Sequence, residues 1–164
     1  MSSESQIDGK EFRRVLGQFP TGVTVVTGLT DDGPTGITIG SFTSVSLDPP
    51  LVMWCPSCDS PSWEKMQGGD SFCVNVLGDD QADVSNTFAS SSDDKFTGIE
   101  TRVEATGAPV IEGCLAWIDC EYHAIHDGGD HDIVVGIVKA MGTDDTEAGP
   151  LVFLRGGYGR FEAL

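Results

Sequence analysis

Residues 38–52 read Thr-Ile-Gly-Ser-Phe-Thr-Ser-Val-Ser-Leu-Asp-Pro-Pro-Leu-Val, and this stretch is the most informative part of the chain. Short hydroxyl side chains alternate with larger ones as far as Ser46, two prolines end the run, and an apolar segment follows. β-Branched residues favour strands, and proline is excluded from the middle of a sheet. The stretch therefore predicts a strand that offers backbone amides and short hydroxyls to something flat and polar. The composition alone is also compatible with an edge strand whose hydroxyls face water.

The rest of the chain alternates short strands with a few helices. Helical spacing of apolar residues occurs in 8–19 and 80–90, with Asp8 and Glu11 as a capping box for the first segment. Ser60-Pro61 predicts the start of a short helix that ends at Gln67. Strand patterns bounded by turn residues are found in seven further segments: 22–29, 35–46, 51–55, 71–77, 115–125, 132–141 and 151–154, the last of which is the final clear strand.

This order of elements predicts a mainly β protein, an antiparallel barrel with a few short helices. No alternation of strand and helix occurs, and no Gly-x-Gly-x-x-Gly follows a strand, so a dinucleotide-binding domain with a parallel sheet is not expected. The length suits a single domain over residues 1–164, with residues 1–10 as a disordered tail.

The charge balance limits the ligands that the chain can bind. Nine basic against 26 acidic residues give a net charge of −17, which argues against nucleic acid as a partner. An anionic ligand would need one of the few cations or a helix N-terminus beside it. The acidity fits a solvated surface, and a high-salt cytoplasm is the alternative. No apolar run is long enough to span a membrane, and the polar N-terminus has no signal-peptide core, so we expect a cytoplasmic protein.

Cysteine and histidine do not form a metal pattern. Cys55-Pro-Ser-Cys58 is a single Cys-x-x-Cys without a second pair, and we expect the five cysteines to be reduced, buried thiols. His123, His126 and His131 have no ligand spacing, so no metal site is predicted. His131 lies in a Gly-Gly-Asp-His loop between two strands, where it is either an ordinary turn residue or a functional one.

Five ordered motifs resemble the short-chain flavin reductases, the reductase components of two-component flavin monooxygenases. They are Phe12-Arg-Arg-Val-Leu-Gly with Phe19-Pro-Thr-Gly-Val-Thr-Val-Val-Thr, Ser41-Phe-Thr-Ser-Val-Ser-Leu-Asp-Pro-Pro-Leu-Val, Phe72-Cys-Val-Asn-Val-Leu, Lys95-Phe96, and Gly129-Asp130-His131 with Ile133-Val-Val-Gly. The resemblance runs from Phe12 to Tyr158.

The resemblance implies an FMN-binding split β-barrel that reduces flavin. NADH or NADPH would transfer a hydride to N5 of FMN or FAD, and the reduced flavin would pass to a separate oxygenase. The family is typically dimeric, so a homodimer is implied as well. A different class stays open, in which the barrel holds FMN permanently as an electron carrier or sensor without turnover. Haem binding on the same barrel has no evident axial ligand.

The resemblance also implies roles for individual residues. His131 would be catalytic on the nicotinamide side of the flavin. Ser60 and Ser62 would meet the flavin phosphate together with the cation of Lys95. The flavin would be bound by Thr38, Ile39, Gly40, Ser41, Ser44, Val45, Ser46, Cys55, Ser60, Ser62, Asn75, Val76, Leu77, Lys95, Phe96 and Tyr158.

Two positions depart from the pattern of that family. Gly40 stands where a larger polar residue such as Asn or Ser is common, so one side-chain contact to the flavin would be missing or replaced by backbone. Asp59 has the wrong charge for a phosphate neighbour. Both departures imply a modest affinity for flavin, which suits an enzyme that releases its reduced product.

Overall fold

A computed structural model describes residues 7–164, and most of its regular structure is β-strand. The helices in this part of the chain are α1 (Gly9–Leu16), α2 (Pro61–Met66) and α3 (Ala82–Ala89). The strands are β1 (Thr21–Gly22), β2 (Thr24–Thr30), β3 (Gly33–Ile39), β4 (Thr43–Leu47), β5 (Pro50–Trp54), β6 (Ser71–Val76), β7 (Thr101–Val103), β8 (Pro109–Ile111), β9 (Ala116–Asp127), β10 (Asp132–Thr143), β11 (Leu151–Leu154) and β12 (Gly157–Arg160).

One antiparallel sheet of seven strands forms the body of the protein. Its order is β3-β2-β6-β9-β10-β5-β4, and two small sheets, β1-β11-β12 and β7-β8, lie beside it. The sheet does not close into a full barrel, because its two edge strands, β3 and β4, are not hydrogen-bonded to each other. This arrangement is an open, split barrel, and the expected mainly β fold is confirmed.

The segment predicted as one hairpin arm over 35–46 is in fact two strands. β3 pairs with β2 as far as Ile39 opposite Thr24, where β2 begins, so no partner remains for a longer strand. Residues 40–42 then carry the chain to β4, which pairs with β5 through a register shift between Ser44 and Ser46. The predicted end of the run before the two prolines is confirmed, because β4 ends at Leu47, and the strand predicted over 51–55 is β5, which begins at Pro50.

Both predicted N-caps are present, although one capping box is not. The Ser60 side chain accepts from the amide of Trp63 at 3.3 Å, with Pro61 in the first turn of α2. Asp8 caps α1 in the same way. Glu11 does not reach back to the cap residue, because its carboxylate instead accepts from the Arg14 guanidinium at 2.6 Å.

The ends of the chain differ from the prediction. The hairpin β11–β12 makes residues 157–160 the final strand, with a two-residue turn in which Arg155 and Gly156 have φ of 51° and 81°. The two-residue and three-residue strands β1, β7 and β8 are too short for a periodic pattern to indicate them. Residues 1–6 of the predicted disordered tail lie outside the described part of the chain. Helix α1 begins at Gly9, within the last residues of the tail predicted over 1–10.

An aromatic cluster lies in the hydrophobic core of the main sheet. Trp54, Trp63 and Phe72 are fully buried and meet edge to face, with ring centroids 5.2 and 5.5 Å from Trp54. Tyr122 contacts Phe72 at 5.0 Å, and burial raises the pKa of its phenol. Edge-to-face pairs of this kind fix the orientation of each ring, so α2 is held rigidly against the sheet through Trp63.

Asn75 is a buried polar residue that joins the small sheet to the main one. Its amide donates to the Val25 carbonyl at 3.0 Å, and its oxygen accepts from the Ile111 amide at 2.8 Å. Buried amides must be paired to avoid a desolvation cost. Asn75 therefore satisfies the β8 backbone and has no exposed surface. Across residues 7–164, none of the helices has the length and apolar character needed to cross a bilayer.

Gly136 sits at a close approach between β10 and the aromatic cluster. A Cβ there would lie 2.3 Å from Cζ of buried Phe72, whereas a Cβ at Gly159 would have no neighbour within 4 Å. We expect Gly136→Ala to lower the free energy of unfolding by about 1–3 kcal/mol, because Phe72 has no room to move. Gly159→Ala is the matched control. Urea unfolding that shows equal effects for the two variants would contradict this packing.

Candidate active site

The open edge of β3 carries a continuous groove, here called the β3 groove. A cavity of about 190 Å³ lies at its start beside α2 and α3, and one of about 370 Å³ follows along residues 37–41. Two further cavities, of about 250 and 540 Å³, share Gly40 with it. β3 pairs with β2 on one side only, so about half of its backbone amides and carbonyls face the groove rather than another strand.

A buried ammonium group marks one end of the β3 groove. The side chain of Lys95 is 7% exposed, and its Nζ donates to the Gly36 carbonyl at 3.2 Å, the Phe88 carbonyl at 2.9 Å and Ser62 Oγ at 2.9 Å. These three acceptors are all neutral. Desolvation and, secondarily, the charge of Lys65 lower the pKa of Lys95. The cation is thus fixed in place without a carboxylate bonded to it.

The hydroxyl groups around this ammonium face the same cavity. Ser60 and Ser62 line it, and Ser62 accepts from Lys95, so its own hydroxyl proton stays free to donate. Phe96 completes the wall and meets Phe88 edge to face at 5.0 Å. α2 has only six residues, so the fixed cation and the hydroxyls, rather than a long helix dipole, make this end attractive to an anion.

His131 stands over the middle of the β3 groove. It lines the cavity of about 370 Å³ together with Thr38, Gly40, Ser41 and Cys55. Its Nδ1 lies 2.7 Å from Asp130 Oδ1, and this contact lowers the pKa of the Asp130 carboxyl. With Nδ1 engaged, Nε2 is the ring nitrogen left for a ligand.

The predicted hydroxyls at the centre of the groove are partly occupied. Thr38 Oγ1 donates to the Ser85 carbonyl at 2.6 Å, and Ser41 Oγ accepts from the Cys55 amide at 2.9 Å. Their function is therefore to join the edges of the groove. The groups that remain for a ligand are chiefly backbone groups on the open side of β3, at Thr38, and of Gly40 just beyond the strand. The backbone of Ile39 faces β2 instead, where its carbonyl accepts from Thr24 Oγ1 at 2.9 Å.

Tyr158 forms the far wall, and sequence reasoning did not identify what holds it. Its hydroxyl lies 2.7 Å from Ser85 Oγ and donates to Asn86 Oδ1 at 3.1 Å. Ser85 falls on the apolar face of α3, and nothing in its spacing indicates a link to residue 158. Ser57 and the run Ser90–Ser92, which also line the groove, could have been found as polar residues next to predicted site residues.

Five predicted residues do not line these four cavities. Ser44, Val45 and Ser46 are on β4, and their contacts to a flavin stay predictions. Asn75 and Leu77 have no exposed surface, so their side chains do not reach a ligand, although Val76 between them lines the cavity of about 540 Å³.

The cysteines differ from the expected set of buried thiols. Cys73, Cys114 and Cys120 are buried, but Cys55 is half-buried and Cys58 is exposed. Burial raises the pKa of Cys114 and of Cys120 to about 12. The pKa of Cys58 is also raised, first by desolvation and then by nearby carboxylates, among them Asp132 and Asp59. Cys58, Cys114 and Cys120 are therefore not poised as thiolates. No group of three metal-ligating side chains occurs within 7–164.

Comparison with known proteins gives one consistent result. The family model described as "Flavin reductase like domain" matches residues 16–162. A flavin reductase from Pseudomonas putida is 50% identical over 98% of this chain and 94% of its own length. The reductase subunit HsaB of a flavin-dependent monooxygenase from Mycobacterium tuberculosis is 48% identical over 94% of this chain and 83% of its own.

A solved structure agrees with the sequence relatives. The NADH:FAD oxidoreductase SgcE6 of Streptomyces globisporus, in complex with NAD and FAD fragments, superposes with a TM-score of 0.87 at 37% identity. The match covers 96% of this chain and 97% of that one. An open barrel, a groove with a fixed cation, and relatives aligned over nearly their whole length together show that this chain belongs to the flavin reductase family.

Proposed function

We propose that the protein is an NAD(P)H-dependent flavin reductase that supplies reduced flavin to a separate oxygenase. The observation that carries this proposal is the β3 groove, which has a fixed ammonium at one end and an imidazole over its middle. Relatives that are named as flavin reductase and as monooxygenase reductase subunit support the same assignment. A permanently bound electron carrier is not favoured by these relatives.

The residues of the groove fit a flavin nucleotide. When bound, the flavin supplies the hydride-accepting ring, and the protein supplies position and electrostatics. Ser60 and Ser62 would donate to the phosphate, and the Lys95 ammonium, whose three N–H groups are already bonded, would attract the phosphate through its charge. FMN and the FMN half of FAD share this phosphate, so the proposal covers both. Phe96 would pack beside it, and Tyr158 would close the other wall.

The edge of β3 would hold the ring itself. Backbone amides at Thr38 and Gly40 can donate to the ring oxygens without bringing a charge, with Ser41 and Cys55 at the far side. Ile39 lines the same cavity, with its backbone paired to β2. Fixed donors of this kind stabilise negative charge that develops on the ligand during reduction. Contacts from Ser44, Val45 and Ser46 stay predictions from the resemblance.

His131 would meet the nicotinamide and hold it against the flavin. Its Nδ1 is engaged by Asp130, which leaves Nε2 as the ring nitrogen for a ligand in the cavity that His131 lines. The hydride needs no protein base, so orientation is the main contribution of this residue.

The carboxylates of Asp59, Asp127, Asp130 and Asp132 are close enough to Cys58 to affect its pKa. Their field disfavours the 2′-phosphate of NADPH, and we propose NADH as the donor.

A second copy of the chain would cover α1. This helix buries none of its residues, and its apolar side chains face outward, with Phe19 just beyond it 76% exposed. An apolar face of this kind is typical of an interface. We therefore propose a homodimer in which α1 lies at the contact between subunits.

Stopped-flow reduction tests the activity directly. The flavin content of the purified protein is recorded first, and FMN, FAD or riboflavin is then mixed with NADH or NADPH. We expect enzyme-dependent loss of flavin absorbance, with kcat/KM for NADH about tenfold or more above that for NADPH because of the carboxylate field. Absence of flavin reduction with either nucleotide would reject the reductase function. Equal use of both nucleotides would reject only the NADH preference.

Lys95→Met separates phosphate binding from ring binding. The variant keeps the length of the side chain and loses the ammonium, so we expect the Kd for FMN to rise about tenfold or more. Riboflavin has no phosphate, and its Kd should change by less than about threefold. Lys139→Met, which removes an exposed lysine paired with Glu121, is the matched charge control. A parallel loss of FMN and riboflavin affinity would contradict the proposed phosphate site.

Charge placed on α1 tests the dimer. Leu16 is more than half exposed, and Leu16→Asp should shift the mass in solution from two chains to one, since a buried carboxylate has no partner in an apolar contact. Lys10→Asp, on the other face of the same helix, should leave the mass unchanged. Multi-angle light scattering measures both. A wild-type protein that is monomeric at micromolar concentration would refute the proposal.

A further inference from the structure

The loop that carries His131 is fastened to the protein at several points. The amide of Cys58 donates to the Asp130 carbonyl at 3.0 Å, and the amide of Asp132 donates to the Pro56 carbonyl at 3.0 Å. Both bonds tie the loop to the segment 56–58, which has no regular secondary structure beyond an isolated bridge between Ser57 and His131. The loop is also the turn of the β9–β10 hairpin, in which Asp132 pairs with Asp127 and the Gly128 amide donates to the His131 carbonyl at 2.9 Å. None of these backbone bonds reaches α2.

A further contact connects the loop to a rigid part of the molecule. Asp132 Oδ2, one residue beyond His131, accepts from the indole Nε1 of Trp63 at 2.7 Å. Hydrogen bonds with one ionised partner are short and strong. Neither Asp132 nor Trp63 lines the cavities of the β3 groove, so the contact does not serve a ligand directly.

Trp63 is well suited to hold this carboxylate. It has no exposed surface, its ring meets Trp54 edge to face at 5.2 Å, and its amide donates to the cap residue Ser60. The indole N–H therefore has a fixed direction, set by the aromatic cluster and by α2. The indole therefore fixes the position of Asp132 relative to α2, the helix that carries the proposed phosphate site. Because His131 is the neighbouring residue in the chain, its position is fixed relative to α2 as well.

We propose that Asp132 is a positioning residue of the reaction, which holds His131 against the nicotinamide side of the groove through the indole of Trp63. This inference rests on the proposed function. Asp132 moves no proton and touches no reacting atom. Its contribution is to limit the movement of the neighbouring imidazole, on which alignment of the two ligands depends.

Steady-state kinetics with NADH and FMN test the proposal. We expect Asp132→Ala and Trp63→Phe to lower kcat/KM for NADH about tenfold, as for loss of one hydrogen bond to a charged group, with the Kd for FMN within about twofold of wild type. Asp132→Asn should retain most of the activity, because its amide oxygen still accepts from the indole while the charge is gone. A loss in Asp132→Asn as large as in Asp132→Ala would overturn the proposal.

Trp54→Phe is the matched control for Trp63→Phe. Trp54 belongs to the same cluster and is equally buried, but its indole N–H has no hydrogen-bond partner among residues 7–164. Both variants lose similar volume, and only Trp63→Phe loses the bond to Asp132. Equal losses of kcat/KM in the two variants would show a general packing effect and overturn the proposal. Thermal unfolding of each variant confirms that it folds.

A double-mutant cycle with His131→Ala isolates the route of the effect. If Asp132 acts through His131, Asp132→Ala lowers kcat/KM in the wild-type background and has no further effect when His131 is already absent. An equal loss in both backgrounds would overturn the proposal. Failure of the proposed function is distinguishable, because the wild-type protein would then show no NADH-dependent flavin reduction in the first place.

Discussion

The Lys95 ammonium is the interaction on which the candidate site depends. Its three hydrogen bonds go to three different elements: the Gly36 carbonyl on β3, the Ser62 hydroxyl on α2 and the Phe88 carbonyl on α3. One buried cation thus holds both helices against the open edge of the sheet. Burying an ammonium among neutral acceptors is costly, and the bound phosphate of a flavin would offset part of that cost. The same group is therefore a structural bond and, in the proposed function, the group that recognises the phosphate.

The main sheet explains why the site lies where it does. Because β3 and β4 take opposite edges, the barrel stays open beside β3, and the loops after β5 and β9 reach the same opening. Cys55 and His131 come from these two loops and meet beside Gly40. Gly40 has no side chain, and the space that this leaves is shared by three cavities. A Cβ at this position would lie 3.3 Å from Thr21 Oγ1, a buried hydroxyl without a hydrogen-bond partner in the described part of the chain.

Local signals in the sequence predicted much of this architecture. The Ser60-Pro61 cap, the end of the run before the two prolines and the strands β6, β9, β10 and β11 follow from residue type and spacing, and the structure confirms them. The break between β3 and β4 at residues 40–42 could not be predicted from residue type, because small polar residues continue across it. The pairing of β3 ends there only because β2, its partner strand, begins at Thr24. The role of Asn75 in joining the two sheets was not predicted for a related reason: its partner Ile111 is 36 residues away, on a strand too short to be predicted.

The same difference between local and long-range information applies to the residues of the candidate site. Lys95, Ser60, Ser62 and His131 were named from motifs, and the structure brings them to one groove. The hydrogen bonds that hold the site residues in place could not be predicted from a motif. Trp63 bonds to Asp132 and Tyr158 bonds to Ser85, and in each pair the two residues are about 70 positions apart. Contacts of that kind depend on how the sheet folds back on itself, which local pattern does not encode.

The unpaired edge of β3 also affects how the protein behaves before any ligand binds. An exposed row of backbone donors and acceptors is a template on which strands of other molecules can add, and this route leads to aggregation. In this protein α2, α3 and the β11–β12 hairpin flank that edge, and Pro34 removes one donor near its start. A bound flavin would cover much of what remains. Flavin supplied during expression would in this way act as a folding aid, protecting the edge strand beside the candidate site.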